Sequence, residues 1–312
     1  MRVAILGAGG VGSYYGGSLA RAGHEVVILA RGAHLEALTS RGLEVRTPEE
    51  SFTVRPEATD DPERVRDAEL AIVAVKSYSL AAIAPSARLA AEGGAVVLPL
   101  LNGVEAAGRL VASGVPGAMV LGGLTQVSAV RSAPGVVERR STFRRVVVGE
   151  TAGGGSERAE RIAAAFSSAG ADAVVSTDIG ADLWRKLAFI SPMAAACGLA
   201  RAPVGPVLDA PLGREFVERA VGEVFAVARA VGVALAEGEE AGVLALIESL
   251  PAGLKPSFLL DLEAGRPTEL DDLCGAVSRI GRSAGVPTPV HDTATAALAV
   301  AARGTGSGGT RG

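Results

Sequence analysis

Cysteine is scarce in this 312-residue chain: Cys197 and Cys274 are its two, each in an apolar stretch with no second thiol nearby. A disulfide framework is therefore excluded, and the chain reads as cytoplasmic. The three histidines, His24, His34 and His291, are scattered and leave no spacing suited to a metal. His24 falls in a turn and reads as structural. His34 falls in the amphipathic segment 33–40 and reads as a surface residue. No apolar run approaches the roughly 20 residues that cross a bilayer, and the first run breaks at Gly7, too early for a secretory leader. Charges of one sign do not cluster. With a formal net charge of −4 and no like-charged block, neither nucleic acid nor membrane is expected as a partner.

Glycine and apolar residues are plentiful instead. The 41 glycines, with 48% apolar against 21% charged content, describe a globular chain long enough for two domains. The most informative glycines lie in Gly7-Ala8-Gly9-Gly10-Val11-Gly12. This turn follows the buried run Val3-Ala4-Ile5-Leu6 and opens a helix through Ser13-Tyr14-Tyr15. Gly7 permits a tight turn, Gly9 lets a diphosphate approach the backbone, and Gly12 lets helix and strand pack closely. The helix end, with its unpaired N–H groups, then faces an anion. A second strand, Glu25-Val26-Val27-Ile28-Leu29, ends at Ala30 and Arg31. A carboxylate there would accept from a ribose 2′-hydroxyl; none is present, and the Arg31 guanidinium suits a 2′-phosphate, hence NADPH or NADP+. The alternative for Arg31 is a solvated residue at a strand end.

Further along, 43–47 and 52–55 read as a hairpin-like insertion. Leu70-Ala71-Ile72-Val73-Ala74-Val75 reads as a buried strand ending in Lys76, and Ala95-Val96-Val97-Leu98-Pro99-Leu100 as another ending near Asn102. Alternation with helices predicts a mostly parallel sheet, whose ligands bind outside the carboxyl ends of its strands. That places Lys76 and Asn102 near a cofactor or substrate, although a lysine at a strand end is more often merely solvated. Strands are predicted at 118–124, 136–140 and 145–149, the last two antiparallel, and Ala173-Val174-Val175-Ser176 closes the sheet. From Asp178 only helical periodicity remains. The expected organisation is an α/β domain over 1–177, an all-helical domain over 178–303, and a disordered glycine-rich tail over 304–312. Helices are predicted near 212–231, 239–250, 255–264, 268–284 and 289–302. Pro192 should kink or end the helix that opens the second domain.

Several stretches in order, over nearly the whole chain, give it a family likeness. They are the glycine turn, Arg31, Val75-Lys76, Leu101-Asn102-Gly103, Leu183-Trp184-Arg185-Lys186-Leu187, Ser257 with Asp261-Leu262, and Gly265-Arg266-Pro267-Thr268-Glu269-Leu270-Asp271. On these the chain resembles the ketopantoate reductases (2-dehydropantoate 2-reductases). The resemblance implies an N-terminal Rossmann domain and a helical C-terminal domain with an active site in the cleft between them. It implies reduction of a small-molecule 2-oxo acid, 2-dehydropantoate, by NADPH on the way to pantothenate and coenzyme A, without a metal. Lys186 aligns with the general acid and Glu269 with the essential carboxylate, which also contacts substrate. Gly7, Gly9, Gly10, Val11, Gly12 and Arg31 align with cofactor contacts, and Lys76, Asn102 and Ser257 with cofactor and substrate contacts. The helical domain could offer a face for a homodimer.

The chemistry asks for these types independently. Hydride arriving at a ketone carbon leaves charge on oxygen, so a cation or proton donor must stand beside it. Taken alone, Lys186 could be a surface lysine paired with Asp182, and Glu269 a first-turn helix acid capped by Thr268. Where family members often carry asparagine, this chain has Ile190, Ala194 and Leu254, so an apolar 2-oxo acid becomes a competing substrate. The remaining alternatives are a relative reducing another 2-oxo compound and a non-catalytic NADP(H)-binding sensor.

Overall fold

The computed structural model describes residues 1–304. The first apolar run is β1 (Arg2–Leu6), followed by α1 (Gly10–Arg21), β2 (Glu25–Leu29), α2 (Gly32–Arg41), β3 (Leu43–Arg46), β4 (Ser51–Val54), β5 (Glu57–Thr59) and β6 (Leu70–Val73). Then come α3 (Leu80–Glu92), β7 (Val96–Pro99), α4 (Ala106–Ala112), β8 (Leu121–Gln126), β9 (Ala129–Ala133), β10 (Val136–Arg139), β11 (Arg145–Glu150), α5 (Glu157–Ser168) and β12 (Asp172–Ser176). Five strands pair in the order β5-β2-β1-β6-β7, all parallel. Their side chains alternate between two cores. Ala4, Leu6, Val27, Leu29, Ala71 and Val73 join the core that holds Leu80 and Ala84 of α3. Val3, Ile5, Val26, Ile28, Leu70 and Ile72 join the core that holds Tyr14, Tyr15 and Leu19 of α1. The strand order reverses between β1 and β6, and at such a switch point the carboxyl ends of the two strands leave a crevice for a ligand.

Two smaller sheets complete this region and correct the sequence reading. The 43–47 and 52–55 segments do pair antiparallel, but within a four-stranded sheet, β4-β3-β10-β9, in which β10 runs parallel to β3. Residues 136–140 and 145–149 do not pair. β10 pairs with β9 across a turn at Gly135 (φ 76°), whereas β11 lies between β8 and β12 in a separate three-stranded sheet. The connection 141–144 leaves one sheet for the other, held by Ser141, whose Oγ accepts from the Ser128 N–H at 3.0 Å and donates to the Phe143 carbonyl at 2.7 Å. The strand expected over 118–124 begins at Leu121, after a 3₁₀ turn at Gly117–Met119. Nor does β12 close the main sheet, which meets this region through one parallel bridge, Val97 to Val120.

The remainder is helical: α6 (Ile179–Ala200), α7 (Val204–Asp209), α8 (Gly213–Ala230), α9 (Glu239–Glu248), α10 (Ser257–Glu263), α11 (Cys274–Ala284) and α12 (Pro289–Leu298). Pro192 does not end α6, which continues for eight residues beyond it. An internal proline costs the helix about 3 kcal/mol through a missing hydrogen bond and a clash. Leu187, Ala188, Ala194, Ala195 and Cys197, each at most 1% exposed, hold both sides of it in the core. The helix expected from 268 begins only at Cys274; before it lies a short 3₁₀ turn, Leu270–Asp272. By contacts, the described chain divides into two units: Met1–Leu101 with Glu105–Gly180, and Asn102–Val104 with the chain from Ala181 onward. Asn102 thus belongs with the helical residues. No helix among the described residues is long and apolar enough to cross a membrane. Of the expected tail, Gly304 is described, and 305–312 lie outside the described residues.

Candidate active site

The glycine turn in the first unit is shaped by what its residues lack. Gly7 has φ +118°, and a Cβ there would stand 2.6 Å from Val75 Cγ1 and 2.9 Å from the Ala74 carbonyl. A Cβ on Gly12 would stand 2.0 Å from the Gly7 carbonyl oxygen, so the helix reaches this strand end only as glycine. Gly10 has a different reason: its Cβ would fall 2.1 Å from the Ala129 carbonyl oxygen, because the backbone of β9 lies against it. Gly9, by contrast, has room, with nothing nearer than 3.9 Å. It is the N-cap of α1 and carries no side-chain cap, so the first N–H groups of the helix stay open to an anion. Val11 is partly buried against the sheet core. Arg31 is the exposed N-cap of α2, directly after buried Ala30, and its guanidinium makes no hydrogen bond or ion pair among the described residues. These features fit a dinucleotide, with a free guanidinium at the end of the second strand. Lys76, partly buried, is the N-cap of a 3₁₀ turn, Ser77–Ser79, beyond the carboxyl end of β6.

His34 proves to be a clasp rather than a surface residue. It is 5% exposed; its Nδ1 accepts the Gly135 N–H at 3.0 Å, leaving Nε2–H to face Ser13 Oγ at 3.4 Å. Burial, with Arg131 nearby, lowers its pKa to about 4, so the ring is neutral. The turn that covers it comes a hundred residues later, which an amphipathic pattern cannot anticipate.

In the second unit, α6 presents Lys186 between residues that fix the helix. Trp184, Leu187 and Ala188 enter the core. Arg185 is gripped by Glu239 at 2.6 Å and 3.1 Å and by Asp182 at 3.0 Å. Asp182 therefore engages Arg185, and Lys186 Nζ makes no hydrogen bond or ion pair among the described residues. Burial of its ammonium lowers the pKa to about 8, while the charge of Glu269 works in the opposite direction. Glu269 is 6% exposed and accepts a hydrogen bond from Asn102 Nδ2 at 3.1 Å. It precedes the 3₁₀ turn rather than opening a helix, and the buried Thr268 Oγ1 caps nothing. Gly103, φ +91°, brings its strand-end segment against that turn: a Cβ there would meet the Asp272 carbonyl oxygen at 2.8 Å. Lys186, Glu269 and Asn102 are thus brought together. Ser257 is the exposed first residue of α10, and no described residue hydrogen-bonds its hydroxyl. Ala194 is fully buried in the core that Ile190 and Leu254 pack against. Burial pushes the Cys274 thiol up to about 12 and that of Cys197 up to about 11, which keeps both protonated. No group of three or more His, Cys, Asp or Glu among the described residues could hold a metal.

Gly103 and the Asp272 carbonyl escape a reading of single residues, since their role is contact between segments far apart in the chain. Arg131 of β9, whose Nη1 donates to the Ala8 carbonyl at 3.4 Å, was equally silent in the sequence.

Residues 3–153 match the family described as "Ketopantoate reductase PanE/ApbA", and residues 178–302 match "Ketopantoate reductase PanE/ApbA C terminal". A 2-dehydropantoate 2-reductase of Halobacterium salinarum is 35% identical over 297 residues, covering 94% of this chain and 96% of that protein. The crystal structure of a PanE/ApbA family ketopantoate reductase from Ralstonia eutropha superposes with a TM-score of 0.88 at 31% identity, covering 97% and 98% of the two chains. A D-mandelate dehydrogenase, solved with NADH and anilino(oxo)acetate, superposes with a TM-score of 0.87 at 25% identity, covering 97% and 98%.

Proposed function

Because the chain belongs to the ketopantoate reductase family, a family of oxidoreductases, we propose that it reduces 2-dehydropantoate with NADPH, yielding pantoate for pantothenate and coenzyme A synthesis in the cytoplasm. The observation that carries this reading is the unpartnered Lys186 ammonium, with a pKa of about 8, in the field of a buried carboxylate. Bound NADPH supplies the hydride. The glycine turn takes its diphosphate and Arg31 its 2′-phosphate. Lys186 stands as the cation beside the substrate's 2-oxo oxygen and gives that oxygen its proton as negative charge develops. A pKa near the working pH makes the transfer easy without emptying the proton-bearing form. Glu269, oriented by Asn102, holds the ammonium in place and accepts from a substrate hydroxyl. Lys76 contributes a polar contact to the cofactor and Ser257 one to the substrate.

A second reading has its own support. Ala194 is sealed in the core, but the partly buried Ile190 and Leu254 offer no polar group where a hydroxylated substrate would seek one. The solved D-mandelate dehydrogenase, whose bound anilino(oxo)acetate carries an aromatic body, supports this reading. Branched apolar acids such as 2-oxoisovalerate should then compete with 2-dehydropantoate. Consumption of NADPH and NADH, followed by absorbance across a panel of 2-oxo acids, tests both readings. Turnover of 2-dehydropantoate with NADPH supports the first, and turnover restricted to apolar acids supports the second. Tight NADPH binding with no turnover would overturn both in favour of a sensor.

A further inference from the structure

We propose that the first unit carries a second binding site, for a small organic anion with a flat apolar body, in the cavity at the C-terminal end of α1. The cavity measures about 390 Å³, within the range of small-molecule pockets. Arg21 and Ala22 contribute to its wall. They lie at the opposite end of α1 from Gly12, on the order of 15 Å along a helix that rises about 1.5 Å per residue. Tyr14 and Ser18 continue the wall back along α1, but no residue of the glycine turn, 7–12, lines the cavity.

Its chemistry follows from two guanidinium groups with donors to spare. Arg139, at the end of β10, is 4% exposed. Its Nη1 donates to the Ser141 carbonyl and its Nη2 to the Glu49 carboxylate, while its Nε, shielded from solvent, has no partner among the described residues. Each of the two terminal nitrogens carries a second N–H that neither of these acceptors uses. Arg144 donates its Nε to the Gly170 carbonyl and has no other partner among the described residues, so its terminal N–H groups remain to be used. Both residues line the cavity. Planar forks of this kind match the oxygens of a carboxylate or a phosphate monoester.

Aromatic rings supply the apolar walls. The Tyr14 ring lies 5.8 Å from the Arg139 guanidinium, and the Phe52 ring 4.3 Å from that of Arg21. The two acids of the cavity, Glu49 and Glu50, are exposed on the single turn 47–50 and already engaged, Glu49 by Arg139 and Glu50 by Arg21 at 2.5 Å. Three arginines against two glutamates leave an excess of positive charge. A flat anion enters with its oxygens on Arg139 and Arg144 and its body between Tyr14 and Phe52.

Calorimetry on the full chain, with and without saturating NADP+, tests this with phenyl phosphate, benzoate and inorganic phosphate as probes. Phenyl phosphate or benzoate should bind, more tightly than inorganic phosphate, and with NADP+ present as well as absent; whichever of the two binds more tightly identifies the anionic group. Arg144→Ala, at an exposed position, should weaken that binding at least tenfold, and Phe52→Leu several-fold, with NADPH affinity unchanged in both. Absence of binding by all three probes, loss of binding when NADP+ is added, or equal affinity in Arg144→Ala would overturn the proposal.

Discussion

In the first unit, the proposed function depends on side chains that are missing; in the second, it depends on a half-buried lysine beside a buried carboxylate. At Gly7 and Gly12 a single methyl group would collide with backbone, and the open space at Gly9 is what the proposed diphosphate site uses. At Lys186 the chain does the opposite: it brings a charge into a poorly solvated place, gives it no direct partner, and sets a carboxylate to hold it by field. The first device is steric and tolerates no substitution. The second is electrostatic, carries a standing cost in stability, and can be tuned.

The comparison sharpens most at Lys186. Lys186→Ala should lower turnover by at least ~10²-fold, the low end for loss of a general acid, while NADPH affinity measured by fluorescence stays as it was. The same variant should be the more heat-stable protein. The folded-state pKa of Lys186 is lowered, so the charged form costs stability in full below about pH 8, and that cost fades as pH rises from there toward the ordinary lysine value. A midpoint gain of several degrees at pH 7, shrinking at pH 10, is expected by calorimetry. Arg31→Ala should cost on the order of 1.5–3 kcal/mol of NADPH affinity, typical of charge-assisted hydrogen bonds, and leave NADH affinity unchanged. Equal losses for the two cofactors would remove Arg31 from phosphate recognition. Ile190→Asn should move the ratio of kcat/KM for 2-dehydropantoate over 2-oxoisovalerate upward by about tenfold, or ~1.4 kcal/mol. The smallest effect belongs to His34. Its folded-state pKa is lowered to about 4, so stability is lost as pH falls below the unfolded value. Relative to His34→Gln, the native chain should lose about 0.7 kcal/mol between pH 7 and pH 6, read from urea unfolding.

The sequence disclosed what is local. The glycine turn, the apolar strands of the parallel sheet and the helical second half follow from residues near one another in the chain, where period and turn chemistry act directly. The partner of a strand is a different matter. β10 and β11 are separated by five residues, yet each finds its neighbours elsewhere, because Ser141 ties the connection into a corner rather than a hairpin. His34 looked exposed for the same reason, and Pro192 looked like a helix end because the core that carries α6 past it is assembled from distant helices. At the candidate site the residue types of Lys186 and Glu269 were visible. Their separation from Asp182 and Thr268, and the Asn102 bond across 167 residues, depend on contacts between distant segments.

A lysine brought near neutrality by burial is open to direct observation, because the chain has only three lysines, Lys76, Lys186 and Lys255. A pH titration of the protein labelled with ¹³C at lysine Cε, followed by NMR, yields three resonances, and the one absent from Lys186→Ala is that of Lys186. This resonance should titrate near pH 8 and lower still in Glu269→Gln, which removes the opposing charge. A Lys186 resonance that titrates at the ordinary lysine value would contradict this reading.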